Sequence, residues 1–228
     1  MGDAPGSTQL STAPAPTRAD IDAALAAVDA HFDEFVAELQ ELCRFRSRRQ
    51  EPEQMKATAE WLAESARRHG ATADVIPWEH SHPYVLAEVP GGPKRLLHFT
   101  HYDVEVEPAG DDSEWVSGPY EAAIRDGALY ARGVADDKGV IMSRLHAVAA
   151  WRLAGLTPPV TSVFIMEGKQ MLHSPDSARS PPRTPSGSRP TRRCGRTRGA
   201  TARAARCSSS PRRACSTCAS RSAPCPAT

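Results

Sequence analysis

The sequence predicts an α/β layer over residues 20–171, preceded by a short N-terminal segment and followed by a basic tail. Three observations predict it. Apolar residues recur at helical spacing in two blocks before Gly70 and one after Gly139. Apolar runs of strand length lie between and after those blocks, which is the order of an α/β unit. Charge and composition then change abruptly near residue 172.

The near-neutral total hides that change. Residues 1–171 carry 16 Lys+Arg and 26 Asp+Glu, a net of −10, whereas residues 172–228 carry 12 Arg and one Asp, a net of +11. With 228 residues, 40% of them hydrophobic, the chain can bury a sizeable core as one or two domains. Residues 1–19, rich in Ala, Pro, Ser and Thr, read as a disordered N-terminal segment; no apolar run follows a basic start, so they do not read as a secretory signal. No stretch approaches the roughly 18 apolar residues of a membrane span. A soluble, cytoplasmic protein is therefore expected.

The elements follow in order. Residues 21–45 place Ile21, Leu25, Val28, Phe32, Phe35, Val36, Leu39 and Leu42 at helical spacing and predict one long amphipathic helix capped by Thr17 or Asp20. A second helix covers 54–69, with Met55, Ala59, Trp61, Leu62 and Ala66 set against charged residues and Gly70 ending it. Strands are expected at 72–76 and 84–89, then a short buried strand at 95–100 after a Gly-Gly-Pro boundary. A short strand at 128–132 leads through a loop into a helix over 139–156. Its buried stripe is Ile141, Leu145, Val148, Ala149 and Leu153, ended by Gly155 with Pro158 and Pro159 beyond. A strand at 160–166 closes the folded unit.

Chemistry concentrates between residues 96 and 167. His101 and Asp103 fall just past the strand at 95–100, where ligands collect in an open α/β sheet, and two-residue spacing lets them share one face. His101 can bind a metal ion while Asp103 accepts its other ring N–H and fixes the tautomer. Asp136 and Asp137 lie in the loop before the helix at 139, as carboxylates able to bridge hard or borderline cations. Taken singly, a His beside a strand is more often structural, and paired Asp before Lys-Gly is often a turn with a helix cap.

The ordered set says more. His101-Tyr102-Asp103-Val104, Trp115 with Gly118-Pro119-Tyr120, Asp126-Gly127 through Arg132-Gly133, Asp136-Asp137-Lys138-Gly139 and the run from Val163 to Gly168 together resemble the dinuclear zinc metallopeptidases. That family includes aminoacylase, carnosinase and related dipeptidases, acetylornithine deacetylase and succinyl-diaminopimelate desuccinylase. The resemblance implies a partial zinc-peptidase-like catalytic domain, with helices packed on a mixed, mostly parallel sheet. It also implies cleavage of small peptide or N-acyl amide bonds by a water between two divalent ions, zinc first, with cobalt or manganese as alternatives. By position, His101 resembles the ligand of one metal, Asp136 the carboxylate bridging both, and Asp103 the catalytic residue that orients His101. Trp115, Pro119 and Tyr120 read as packing and loop-shaping residues, and Arg132 and Lys138 as holding the loop.

The resemblance runs from about Ile21 to Gly168, the front of a family catalytic domain. A later acidic ligand, the dimerisation domain and a C-terminal His ligand are expected to be absent. Where the family carries a Glu-Glu pair just after Glu-Gly, this chain has Gln170 and Met171. An amide cannot take a proton from water, and a thioether is a poor ligand for a hard ion. Glu167 is the nearest carboxylate to stand in as catalytic base. The chain is thus expected to be truncated and inactive; the alternative is a non-catalytic remnant or binding fragment with an Arg-rich tail.

Residues 172–228 contain no aromatic residue, Ile or Val, and read as a disordered basic tail. Ordering costs roughly 1–2 kcal/mol per residue, and almost no apolar area returns it. Cys215 and Cys218 have no second pair at zinc-ribbon spacing, and without interleaved aromatics or a motif the arginines signal only charge, so no nucleic-acid partner is expected. A mixture of Arg, Pro, Ala, Ser and Cys is what a GC-rich gene yields out of frame. The reading frame is expected to be lost soon after Glu167.

Overall fold

A computed structural model describes residues 15–78, 82–105 and 115–169, with the backbone of 192–194. Helix α1 (Arg18–Ala30) opens with a capping box: the Thr17 hydroxyl accepts the Asp20 N–H at 3.2 Å, and the Asp20 carboxylate accepts the Thr17 N–H at 2.8 Å. The helix expected over 21–45 is two helices. His31 leaves helical geometry (φ −111°, ψ 14°), and α2 runs from Phe32–Arg44. The break serves two packing jobs. Helix α1 lies against the later helix α4 (Gly139–Leu153) and buries Ala24, leaving Ile21 and Leu25 exposed, whereas α2 exposes Phe32 and buries Phe35, Leu42 and Cys43.

Helix α3 (Pro52–Arg68) starts with Pro at its first position, where no N–H is needed, and ends before Gly70 at φ +85°. Strands β1 (Thr72–Ile76) and β2 (Tyr84–Val89) match expectation. The seven-residue connection between them is too short for a parallel crossover, so they pair antiparallel. Strand β3 (Arg95–His101) extends one residue past its predicted end. β4 (Ala123–Arg125) and β5 (Ala128–Tyr130) form a separate hairpin, turned by Asp126 and Gly127, both with positive φ as a tight two-residue turn demands. β6 (Thr161–Glu167) follows α4.

The main sheet has the order β1-β2-β6-β3-β7, where β7 (Arg192–Cys194) pairs parallel with Leu96–His98 of β3. The rest of 172–228, read from the sequence as a disordered tail, lies outside the described residues. Among the described residues two of the four pairings are parallel and two antiparallel, so the sheet is mixed, as expected.

β6 sits between β2 and β3 and buries both faces, which explains its unbroken apolar run from Val163 to Met166. On one face, Phe164 and Met166 join Val85 and Ala87 beneath Met55 and Leu62 of α3 and Leu145 of α4. Each of these apart from Ala87 contributes about 1.5–3 kcal/mol by its burial. On the other, Val163 and Ile165 pack with Tyr84, Leu86, Leu97 and Phe99. β3 and β6 therefore deliver their last residues, His101 and Glu167, side by side at the C-terminal end of two adjacent interior strands.

Candidate metal centre

His101 closes β3 rather than following it, and is 2% exposed. Its Nδ1 lies 3.1 Å from the Asp103 carbonyl oxygen and 3.2 Å from Asp103 Oδ1; its Nε2 lies 3.0 Å from Asp136 Oδ1. Asp103 is buried, while the Asp136 side chain is 41% exposed. Tyr102, between them, takes the opposite direction and donates its hydroxyl to the Pro83 carbonyl at 2.7 Å. Ser47 pins this strand end: its Oγ donates to the Tyr102 carbonyl at 2.7 Å, and its carbonyl accepts the Val104 N–H at 2.9 Å.

Asp136 arrives on a loop, 134–138, of unusually wide turns, with the Lys138 N–H donating to the Gly133 carbonyl at 3.0 Å. Gly133 opens it at φ +77°, and a Cβ there would collide with Val104 Cγ1. The Asp136–Asp137 peptide is cis. Asp137 turns inward, 4% exposed, and its Oδ2 accepts the His101 backbone N–H at 3.4 Å. Burial raises its carboxyl above the usual range, with His101 opposing. Lys138 is fully buried and donates through Nζ to the carbonyls of Leu42 (3.1 Å) and Phe45 (2.8 Å), so it clamps the loop to the end of α2. Burial pushes its pKa down to about 8.

An imidazole nitrogen and a carboxylate oxygen 3.0 Å apart share either a proton or a cation. Burial alone would lower the His101 pKa; the Asp103 hydrogen bond and the charges of Asp103, Asp137 and Asp136 outweigh it and raise it. Protons therefore compete with a metal for Nε2. The donor set fits a borderline divalent ion: one imidazole whose second nitrogen is held by a carboxylate, facing an accessible carboxylate.

Glu167 is 1% exposed and directly beside His101 in the β3–β6 register, where parallel partners share a face. The Tyr84 hydroxyl donates to its Oε2 at 3.4 Å. Gln170 and Met171 lie outside the described residues. Of the loop-shaping residues, Tyr120 is stacked by Arg46 and Arg48, and Arg132 lies over the Trp115 ring. The sequence marked Asp137 only as a second loop carboxylate able to bridge a cation, not as the acceptor of the His101 N–H, and it gave no sign of Ser47, whose partner is 55 residues away.

The family model for Peptidase family M20/M25/M40 matches residues 99–169, the span that holds this geometry. The chain is 31% identical over 161 residues to the beta-Ala-His dipeptidase of Rattus norvegicus, covering 63% of this chain and 32% of that protein. It is 51% identical over 75 residues to the succinyl-diaminopimelate desuccinylase of Gluconacetobacter diazotrophicus, covering 33% and 19%. The fold resembles the crystal structure of human carnosine dipeptidase 1, with a TM-score of 0.61 at 28% identity over 70% of this chain and 36% of that one. The chain spans about one third of the length of the dipeptidases it matches.

Proposed function

This chain is related to the peptidases of family M20/M25/M40, and from that relation we propose that it is the front part of a metal-dependent hydrolase of small peptide or N-acyl amide bonds. The reading places it in the cytoplasm with two divalent ions, zinc before cobalt or manganese. No described helix is long and apolar enough to cross a membrane. The observation that carries the reading is the 3.0 Å approach of His101 Nε2 to Asp136 Oδ1, with Asp103 behind the other ring nitrogen.

In this reading His101 and Asp136 hold the ion, and Asp103 is a positioning residue that keeps Nε2 directed at it. An ion bound there supplies Lewis acidity toward a substrate carbonyl and makes a nearby water more acidic. Glu167, buried on the same face, is the carboxylate proposed to take the proton of that water. Asp137 holds the backbone of His101, and Lys138 holds the loop that carries Asp136. A second reading, a metal-binding fragment without turnover, is favoured by Gln170 and Met171 standing where the resemblance expects Glu-Glu.

Zinc titrated calorimetrically into the purified chain tests the proposal. The expected result is a site of micromolar or weaker affinity, since two or three protein ligands fall short of zinc's preferred four-coordinate set. His101→Ala and Asp136→Ala should each remove that site. Unchanged binding in both would overturn the assignment.

A further inference from the structure

The helices bring together a second set of ligand atoms, distinct in elements and residues from the first. Glu38 of α2, His69 at the C-terminal end of α3 and His146 of α4 point at one another. Glu38 Oε2 is 2.7 Å from His69 Nε2 and 2.7 Å from His146 Nε2. Its other oxygen, Oε1, accepts from Ser65 Oγ at 2.7 Å and from Arg68 Nη2 at 2.8 Å. All three side chains are largely buried, with exposures of 13%, 16% and 9%. The rings are held in place: Phe35 stacks on His146 at 4.1 Å between centroids, and His69 meets His146 edge-on at 5.2 Å.

We propose that Glu38, His69 and His146 form a divalent-metal site, suited to zinc, that joins the three helices. Two imidazoles and one carboxylate are a three-ligand set that zinc accepts with water in the fourth position. A surface cleft lined by Glu34, Glu38, Glu41, Arg68 and His69 gives water access to it. The ligand oxygen is prepared for the role. Ser65 and Arg68 fix the carboxylate through Oε1 and leave Oε2 to face both rings, the outer-shell support that metal ligands ordinarily receive. Burial alone would raise the Glu38 carboxyl; hydrogen bonds from His146, His69 and Ser65 outweigh it and hold the group anionic well below the usual range.

Without an ion the same atoms make a hydrogen-bonded tripod, each imidazole donating to Oε2. Ligands around tetrahedral zinc stand about 3.3 Å apart given bond lengths near 2.0–2.2 Å, so each ring must retreat by about 0.6 Å as the ion replaces the shared protons. That is a small side-chain rotation. The site would tie α2, α3 and α4 together where their contacts with one another are otherwise apolar or sparse.

Zinc is titrated into the full chain carrying His101→Ala and Asp136→Ala, with its five tail cysteines changed to Ser, so that neither the first centre nor a tail thiol can answer; the remaining thiol, Cys43, is fully buried. One equivalent should bind and raise the thermal midpoint. Imidazole nitrogen NMR of the same chain should show zinc shifting Nε2 of His69 and His146 and no other histidine. Ser65→Ala should weaken binding about tenfold, and His69→Gln or His146→Gln by more. If the variants fail to fold by circular dichroism, the nitrogen shifts in the parent decide alone. A folded parent that binds no zinc, or zinc that leaves the His69 and His146 nitrogens unmoved, overturns the proposal.

Discussion

At His101 the two ring nitrogens face different partners, and changing either partner isolates a different role. Asp103→Ala leaves both proposed ligands in place but frees the ring, so zinc affinity at this centre should fall by about 10–100-fold without vanishing. Complete loss in a folded variant would make Asp103 a ligand, and no loss would remove its positioning role. Lys138 offers a test by pH. Its pKa is lowered to about 8 by burial, whereas an unfolded lysine titrates near 10.4. Below pH 8 the side chain is charged in both states, so the burial penalty stays constant. Between about 8 and about 10.4 the unfolded chain binds the proton and the folded chain does not, so stability should rise with pH by at most about 1.4 kcal/mol per unit. Denaturant midpoints measured across that range should show this rise, and Lys138→Met should remove it.

His101, Asp103 and Asp136 were legible because their spacing along a strand end and a loop is itself the signal. Lys138 was read as holding the loop, which it does, and Asp137 as a loop carboxylate able to bridge a cation, but the partners of both lay beyond any local pattern. Their tasks depend on a backbone N–H 36 residues away and on carbonyls 93 and 96 residues away. Glu38, His69 and His146 gave no sequence signal at all, since three helices supply them at no motif spacing.

Among the elements, the loop at 134–138 depends on Gly133 more than on any side chain it carries. A left-handed backbone costs a residue with a Cβ about 1–2 kcal/mol, and here that Cβ would also meet Val104. Gly133→Ala should therefore lower stability by about 1–3 kcal/mol and weaken zinc binding at His101 and Asp136, read from a denaturant midpoint and a titration on one preparation. An unchanged midpoint would mean that the loop relaxes elsewhere. Strands β1 and β2 were legible to the residue because two short apolar runs flank a polar connection, β2 being buried along nearly its whole length. The break at His31 was not. Nothing in the local sequence at His31 marks a helix break, and the two halves differ only in long-range packing, α1 lying against α4 and α2 against both α4 and α3. The even balance of parallel and antiparallel pairs was hidden for a similar reason, since strand order is a long-range property that apolar runs do not encode.

For the whole molecule, the change of composition near residue 172 and the substitutions Gln170 and Met171 bear on the same question, whether this chain turns over substrate. General-base transfer contributes roughly 10²- to 10⁴-fold, and an amide at position 170 removes it unless Glu167 reaches the water. In the proposed two-ion reading, a thioether at 171 would withhold a carboxylate from the second ion, and with it part of the stabilisation of developing charge. Purified chain supplied with zinc, cobalt or manganese should therefore hydrolyse dipeptides and N-acyl amino acids no faster than its Asp136→Ala variant. Resequencing the gene should reveal a one- or two-base change close to codon 168. Restoring the frame should return Glu at both positions and bring turnover above that control. Turnover by the present chain that Asp136→Ala abolishes would refute the inactive reading and identify Glu167 as the proton acceptor. An intact frame in the DNA would instead make the basic tail a genuine product, and the explanation of Gln170 and Met171 as a frame error would fall with it.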